Sequence, residues 1–209
     1  MSISGGRMDK LLREKEILEA AVKIFAQYGY KKATVDDVAS RAGMTKGNLY
    51  FFFRSKKELY ERTVRYGLQN WRDSIASAIR DFGQVEERFY VMALRAYEYL
   101  DNHEDLRAVV EKDPAIFSLS PDEDRFHDIN LGAMDIMRDI LNQGVVSGVF
   151  YPMDVNHMTE FLFSVYIMFL IRAYVKSEGS SVSTMYREGL LMMMRGLCRN
   201  GFSAPPETA

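Results

Sequence analysis

Residues 34–59, TVDDVASRAGMTKGNLYFFFRSKKEL, decide the fold of this chain. Ser and Thr are preferred helix N-caps because their hydroxyl accepts a hydrogen bond from an unpaired backbone N–H, and an acid at N3 completes a capping box. The segment holds three such signals: Thr34 with Asp37, Thr45, and Ser55 with Glu58. It therefore predicts two short helices followed by the start of a third.

A sharp turn is predicted at Gly43, because glycine adopts positive φ without steric cost. The apolar residues fall where the two helices would face each other and a supporting helix: Val35, Val38, Ala39, Ala42, Leu49 and Phe53. The outward residues of the second helix are small, polar or cationic: Thr45, Lys46, Gly47, Asn48 and Tyr50. This pattern is typical of a helix-turn-helix, whose second helix enters the DNA major groove with its N-terminal end first.

These outward side chains carry groups that can read DNA. Lys46 can donate to guanine, Asn48 can pair with adenine through two hydrogen bonds, and Thr45 can offer a methyl or hydroxyl to a base edge. Thr34 and Lys56 stand near helix N-termini, where hydroxyl, ammonium and free N–H groups suit phosphates. The alternative is a helical hairpin whose polar face is only solvated.

The segment resembles the recognition region of the tetracycline-repressor (TetR) family of bacterial regulators. The matching positions are Ala42, Gly43, Thr45, Gly47, Leu49, Tyr50, Phe53, Ser55, Lys56 and Leu59. The resemblance is specific over about residues 10–60 and beyond them covers helical layout only. It implies phosphate contacts from Thr34, Tyr50 and Lys56. It also implies base or groove contacts at Thr45, Lys46 and Gly47.

Two positions depart from the family pattern. His, Tyr or Trp often stands where this chain has Phe51 and Phe52, and a ring N–H or OH there bonds a phosphate. A phenylalanine instead presses on a sugar or a thymine methyl, or lies against the head's own helices. Both residues stay among the candidate DNA contacts, with their role open.

Charge and periodicity divide the chain into a head and a body. Residues 1–60 hold 12 Lys/Arg and 7 Asp/Glu, whereas the remainder holds 15 and 22. A basic segment suits contact with a polyanion. Helical periodicity predicts an all-α chain of about nine helices. We expect a helix-turn-helix DNA-binding head at 9–54, a ligand-binding and dimerisation body at 55–200, and flexible termini at 1–8 and 201–209.

The chain is rich in residues that line adaptable apolar pockets, with 13 Met, 13 Phe and 12 Tyr. Any single one of them is more often ordinary core. The family resemblance implies an inducer pocket among helices five to eight. The candidates are Tyr97, Phe117, Phe126, Met134, Met137, Phe163 and Tyr166. Its ligand would be a small apolar or amphipathic molecule.

The last two predicted helices are apolar on more than one face, which indicates burial. We expect an interface with a second copy of the chain, the alternative being burial within one subunit. The candidate interface residues are Phe161, Val165, Met168, Phe169, Leu190, Met193, Met194 and Leu197. The most apolar run, 161–171, has 11 residues and is too short to cross a bilayer.

Other chemistry finds little support in the sequence. The histidines His103, His127 and His157 form no ligand-spaced pair, and Cys198 is the single cysteine. We find no nucleophile elbow, no phosphate-binding glycine loop and no export signal, so we expect no metal, no cofactor, no enzyme activity and a cytoplasmic location. The sequence predicts a homodimeric, ligand-responsive repressor of a palindromic operator. The alternative is a helical small-molecule-binding or adaptor protein that does not bind DNA specifically.

Overall fold

The computed structural model describes residues 3–118 and 120–205. These residues contain nine α-helices and, apart from an isolated bridge between Phe150 and Cys198, no β-structure, so the predicted all-α class is confirmed. The helices are α1 Ile3–Lys32, α2 Val35–Arg41, α3 Lys46–Tyr50, α4 Lys56–Ala78, α5 Val85–Glu98, α6 Glu104–Lys112, α7 His127–Val146, α8 Val155–Leu170 and α9 Ser180–Leu197. A π-helical turn, Ile171–Val175, continues α8.

The chain forms two compact units. The first comprises the residues up to Gln69 together with His103–Asp113, so it contains α1, α2, α3, the first part of α4, and α6. The second comprises Asn70–Asn102 and the chain from Pro114 onward, with α5, α7, α8 and α9. Helix α6 lies in the same unit as the helix-turn-helix because it packs on α1. The predicted boundary between head and body, after residue 54, did not include this long-range contact.

Close packing of α1, α4 and α6 builds the support for α2 and α3 in the first unit. A Cβ at Gly67 would lie 2.7 Å from Leu106 Cδ1, so glycine allows α4 and α6 to approach closely. The Tyr60 hydroxyl donates to Asp113 Oδ2 at 2.8 Å. The segment predicted to be loose, 1–8, is helical from Ile3 onward.

Helix α5 is the centre of the second unit, where it packs against α7, α8 and α9. Three carbonyl oxygens near its C-terminal end accept hydrogen bonds from tyrosine hydroxyls. Tyr186 donates to Ala93 at 3.0 Å, Tyr166 to Ala96 at 3.3 Å and Tyr174 to Tyr97 at 3.1 Å. Because buried hydroxyls need partners, these bonds hold α8, the π-helical turn and α9 against α5.

Helix α8 and its π-helical extension form an apolar segment of 21 residues, Val155–Val175, in which an 18-residue window has a mean hydropathy of 1.5. By length and composition alone it could cross a bilayer, so the prediction that the apolar run is too short rested on only part of the helix. A helix buried in a soluble protein passes the same test. Within the chain, 28% of that window is buried.

Candidate nucleic-acid interface

The first cap of the helix-turn-helix is the capping box predicted at Thr34. The Asp37 N–H donates to Thr34 Oγ1 at 3.1 Å, and the Thr34 N–H donates to Asp37 Oδ2 at 2.8 Å. The Thr34 hydroxyl also donates to that carboxylate at 2.6 Å, and these bonds lower the pKa of Asp37. The exposed Thr34 hydroxyl therefore uses its proton in the bond to Asp37, and it can only accept further hydrogen bonds.

The second cap and the glycine turn fix the direction of α3. Thr45 Oγ1 accepts from the Asn48 N–H at 3.2 Å, and Gly43 adopts φ of 63° in the turn. The inward residues of α2 and α3 are buried, with Leu49 1% exposed and Val38 fully buried. This packing leaves the outward surface of α3 exposed; we call it the α3 face, and it consists of Thr45, Lys46, Gly47, Asn48, Tyr50 and Phe51.

A carboxylate from α2 holds the lysine of the α3 face. Lys46 Nζ donates to Asp36 Oδ2 at 2.7 Å, although both side chains are more than half exposed. The hydrogen bond and the charge of Asp36 raise the pKa of Lys46 above its ordinary value. Asp36 was not among the predicted site residues, since its ten-residue separation from Lys46 matches no local helix spacing.

An open depression lies beside the α3 face. It is lined by Arg13, Ser40, Gly43, Met44, Thr45, Asn48, Phe51 and Phe52. Arg13 reaches it from α1, where its Nη2 donates to the carbonyl of Ala42 at 2.9 Å. The same guanidinium pairs with the carboxylate of Glu16 on α1. Nothing in the sequence motif could have indicated Arg13, because its position depends on how α1 packs on α2.

The two phenylalanines that depart from the family pattern differ in exposure. Phe51 caps the C-terminal end of α3 and is 83% exposed, whereas Phe52 is half-buried, with its ring 6.5 Å from that of Phe53. Of the two roles open to them, contact with DNA suits Phe51, and Phe52 lies partly against the helices of its own unit.

Lys56 is fixed from two sides at the start of α4. Its ammonium donates to the carbonyl of Lys31 at 3.2 Å and lies 4.8 Å from the ring centroid of Tyr30. Ser55 caps α4 by accepting from the Glu58 N–H at 3.1 Å, as predicted. The Glu58 carboxylate returns to the N–H of Arg54 at 2.8 Å, one residue before the cap.

The predicted pocket residues lie in the second unit and are mostly buried. Tyr97, Phe117, Phe126 and Met137 are buried, whereas Met134, Phe163 and Tyr166 are half-buried. The Tyr97 ring stacks on Tyr186 at a centroid distance of 4.1 Å, and Phe163 lies 5.9 Å from Tyr166. Burial raises the pKa of Tyr166 well above its usual value. Trp71 joins this group through its indole N–H to Ala96 and its edge contact with Phe117.

The predicted interface residues divide between the core and the surface. Four of them are buried within the second unit: Phe169, Leu190, Met194 and Leu197. Phe161 and Met168 are 58% and 40% exposed, and Val165 and Met193 are half-buried. The sequence prediction omitted Met185 and Met192, which are 45% and 71% exposed on α9. Their seven-residue spacing places them on one helix face.

Comparisons with known proteins identify the same region. Residues 17–63 match the family described as bacterial regulatory proteins, tetR family. The transcriptional repressor KstR2 of Mycolicibacterium smegmatis is 31% identical over 153 residues, covering 72% of this chain and 74% of the relative.

Solved structures extend the similarity along most of the chain. The ketosteroid transcriptional regulator KstR2 of Mycobacterium tuberculosis superimposes with a TM-score of 0.58 at 25% identity, covering 90% of this chain and 95% of that structure. The regulator FadR of Bacillus subtilis, solved in complex with stearoyl-CoA, gives a TM-score of 0.70 at 18% identity, covering 88% and 98%.

Proposed function

The chain belongs to the TetR family of bacterial regulatory proteins, and from that premise we propose how this member binds its operator and releases it. It is a ligand-responsive, DNA-binding transcriptional repressor. The observation that carries the proposal is the exposed α3 face on a short helix fixed by the Thr45 cap and the Gly43 turn. The adaptor alternative is not favoured, because the relatives that the chain matches, such as KstR2, are transcriptional repressors.

The α3 face enters the major groove. In this position Lys46 and Asn48 reach base edges, and Thr45 and Gly47 lie closest to the groove floor. Phosphates on either side meet Tyr50 and the ammonium of Lys56, which Tyr30 and Lys31 already hold in place. Phosphate contacts set the register of the protein on the duplex, and base contacts set the sequence.

Two copies of the chain bind one operator. The exposed Phe161 and Met168 and the half-buried Val165 lie at i, i+7 and i+4 on α8, and the exposed Met185 and Met192 lie seven apart on α9. These apolar stripes on neighbouring elements of the chain suit a two-fold interface with a second copy. The dimer then reads a near-palindrome with half-sites about 34–36 Å apart, or a multiple of that distance. Such a DNA-bound regulator acts in the cytoplasm.

A small molecule in the second unit releases the operator. The aromatic group around Tyr97, Trp71 and Tyr166 suits an apolar or amphipathic ligand. Helix α4 is continuous from Lys56 to Ala78 and contributes residues to both units. A ligand that binds better to the DNA-incompetent state lowers DNA affinity by the ratio of its affinities for the two states.

A mobility-shift assay on DNA from upstream of the protein's own gene tests the proposal. We expect a shift that a scrambled duplex of equal length does not compete away. Thr45→Ala combined with Lys46→Ala should abolish it, and Met8→Ala, an exposed residue outside the α3 face, should leave it unchanged. Stearoyl-CoA and a ketosteroid serve as probes of the ligand site. The absence of a shift at low salt would contradict the proposal.

A further inference from the structure

The carboxylate of Asp36 lies on the surface proposed to meet DNA, where its charge is unfavourable. It stands in the first turn of α2, 61% exposed, and its side chain accepts from Lys46 Nζ at 2.7 Å. Its neighbour Asp37 is occupied by the capping box with Thr34, so the two adjacent carboxylates have different roles. Near a phosphate backbone an exposed carboxylate lowers affinity for every sequence.

Stability does not account for the Asp36–Lys46 pair. Exposed ion pairs contribute little to folding because water screens the charges and two flexible side chains must be ordered. The pair also joins α2 to α3 across a turn that the Thr45 cap, Gly43 and buried Leu49 already fix. The main effect of the ion pair is therefore to fix the position of the Lys46 ammonium.

We propose that Asp36 is a specificity-determining residue, which holds Lys46 toward a base and away from the phosphates. This inference rests on the proposed function of the α3 face. A lysine is a compact charge on a flexible four-carbon chain, so an unrestrained Lys46 would reach the nearest phosphate on any sequence. Held by Asp36, the ammonium keeps two further donors for the O6 and N7 acceptors of guanine.

Specificity then arises from a difference between sites. On an operator with guanine in the correct position, Lys46 gains a base contact and keeps Asp36. On random DNA, Lys46 reaches a phosphate only by leaving Asp36, and the bare carboxylate then faces the backbone. A charge that disfavours the wrong partner widens the affinity ratio without strengthening the correct complex.

The test compares Asp36→Asn with the wild type on two duplexes, one enriched by the wild-type protein from a random library and one scrambled. We expect Asp36→Asn to bind the scrambled duplex about three- to tenfold more tightly while its affinity for the selected duplex changes little, so that the selected-to-scrambled affinity ratio falls by about the same factor. On scrambled DNA, the slope of log affinity against log salt concentration should become steeper by roughly 0.9 for each lysine that is freed to contact a phosphate. In a Lys46→Ala background the same substitution should change the ratio less than about twofold.

Control variants separate this role from general charge repulsion and from misfolding. Asp135→Asn removes an exposed, ion-paired aspartate from the second unit and should leave the ratio unchanged. Asp36→Glu should retain part of the ratio, and thermal unfolding checks that each variant folds. An unchanged ratio in Asp36→Asn would overturn the inference, as would an equal fall of the ratio in the Lys46→Ala background. If the wild type enriches no sequence at all, the proposed function itself fails.

Discussion

The polar groups of the helix-turn-helix and those of the second unit find their partners at very different distances along the chain. Thr34 and Thr45 bond backbone groups three residues away. The hydroxyls of Tyr166 and Tyr186 bond carbonyls 70 and 93 residues away. The caps of the helix-turn-helix therefore depend on local sequence signals, whereas the hydrogen bonds of the second unit depend on how distant helices pack. Substitutions in the two units should therefore have different consequences.

Two phenylalanines two residues apart should separate folding from recognition in the first unit. Phe53 is fully buried and Phe51 is 83% exposed. Phe53→Ala should lower the free energy of unfolding by about 3–5 kcal/mol, because it leaves a cavity. Phe51→Ala should change it by no more than about 0.5 kcal/mol yet weaken operator binding. Chemical denaturation measures the free energy of unfolding of both variants. Equal losses of stability would contradict the observed exposures.

A charge on α8 should break the proposed dimer. Phe161→Glu would bury an unpaired carboxylate from each copy, so the dissociation constant should rise about a hundredfold or more. Sedimentation equilibrium measures this constant. Glu160→Gln, on the adjacent exposed position, provides the control. A dimer that survives Phe161→Glu unchanged would place the interface elsewhere.

Loss of Lys46 should weaken specific binding more than random binding. Lys46→Ala should cost about ten- to a hundredfold in affinity for the selected operator, since it removes a contact to a base. Fluorescence anisotropy on selected and scrambled duplexes measures the two losses. Equal losses on both duplexes would show that Lys46 contacts only phosphate.

The features that depend on local contacts could be predicted from the sequence, and those that depend on distant contacts could not. The caps at Thr34, Thr45 and Ser55 and the turn at Gly43 depend on neighbours within a few residues, and the structure places them as predicted, except that the Glu58 carboxylate accepts from the N–H of Arg54 instead of that of Ser55. Asp36 and Arg13 escaped prediction because their partners, Lys46 and Ala42, are distant in sequence.

The face of α9 was the weakest part of the sequence interpretation. Apolar residues surround the helix, so composition could not tell its buried side from its exposed side. Leu190 and Met194 face the core, whereas Met185 and Met192 face outward. The deciding information is the position of α5, against which α9 packs. That packing brings together residues about ninety positions apart, as the bond from Tyr186 to Ala93 shows.

A local and a long-range hydrogen bond should prove similar in strength despite their different origins. Thr34→Ala removes the α2 cap and should destabilise the protein by about 1 kcal/mol. Tyr186→Phe removes the bond to Ala93 and should cost about 0.5–1.5 kcal/mol. Thermal unfolding compares them. A much larger cost for Tyr186→Phe would indicate that its hydroxyl organises the whole second unit.

Acid should weaken the α2 cap through Asp37. The folded protein holds the pKa of this carboxyl below its ordinary value of 3.8, mainly through the hydrogen bonds from Thr34. The stabilisation of the folded protein by the ionised Asp37 carboxylate is therefore complete at pH values above the ordinary pKa, and it is lost as the pH falls through the lowered pKa. The difference in unfolding midpoint between wild type and Asp37→Asn, followed from about pH 6 to about pH 2.5, should shrink only below about pH 4. A difference that shrinks near neutral pH would contradict the assignment.

The proposed function requires that the α3 face read a DNA sequence as part of a symmetric dimer. Selection of binding sites from random duplexes by the purified wild-type protein tests it most directly. We expect enrichment of two inverted half-sites separated by one helical turn or a multiple of it, with a guanine in each half-site whose preference disappears in Lys46→Ala. Enrichment of no sequence at low salt, or of a single unrepeated site, would contradict it.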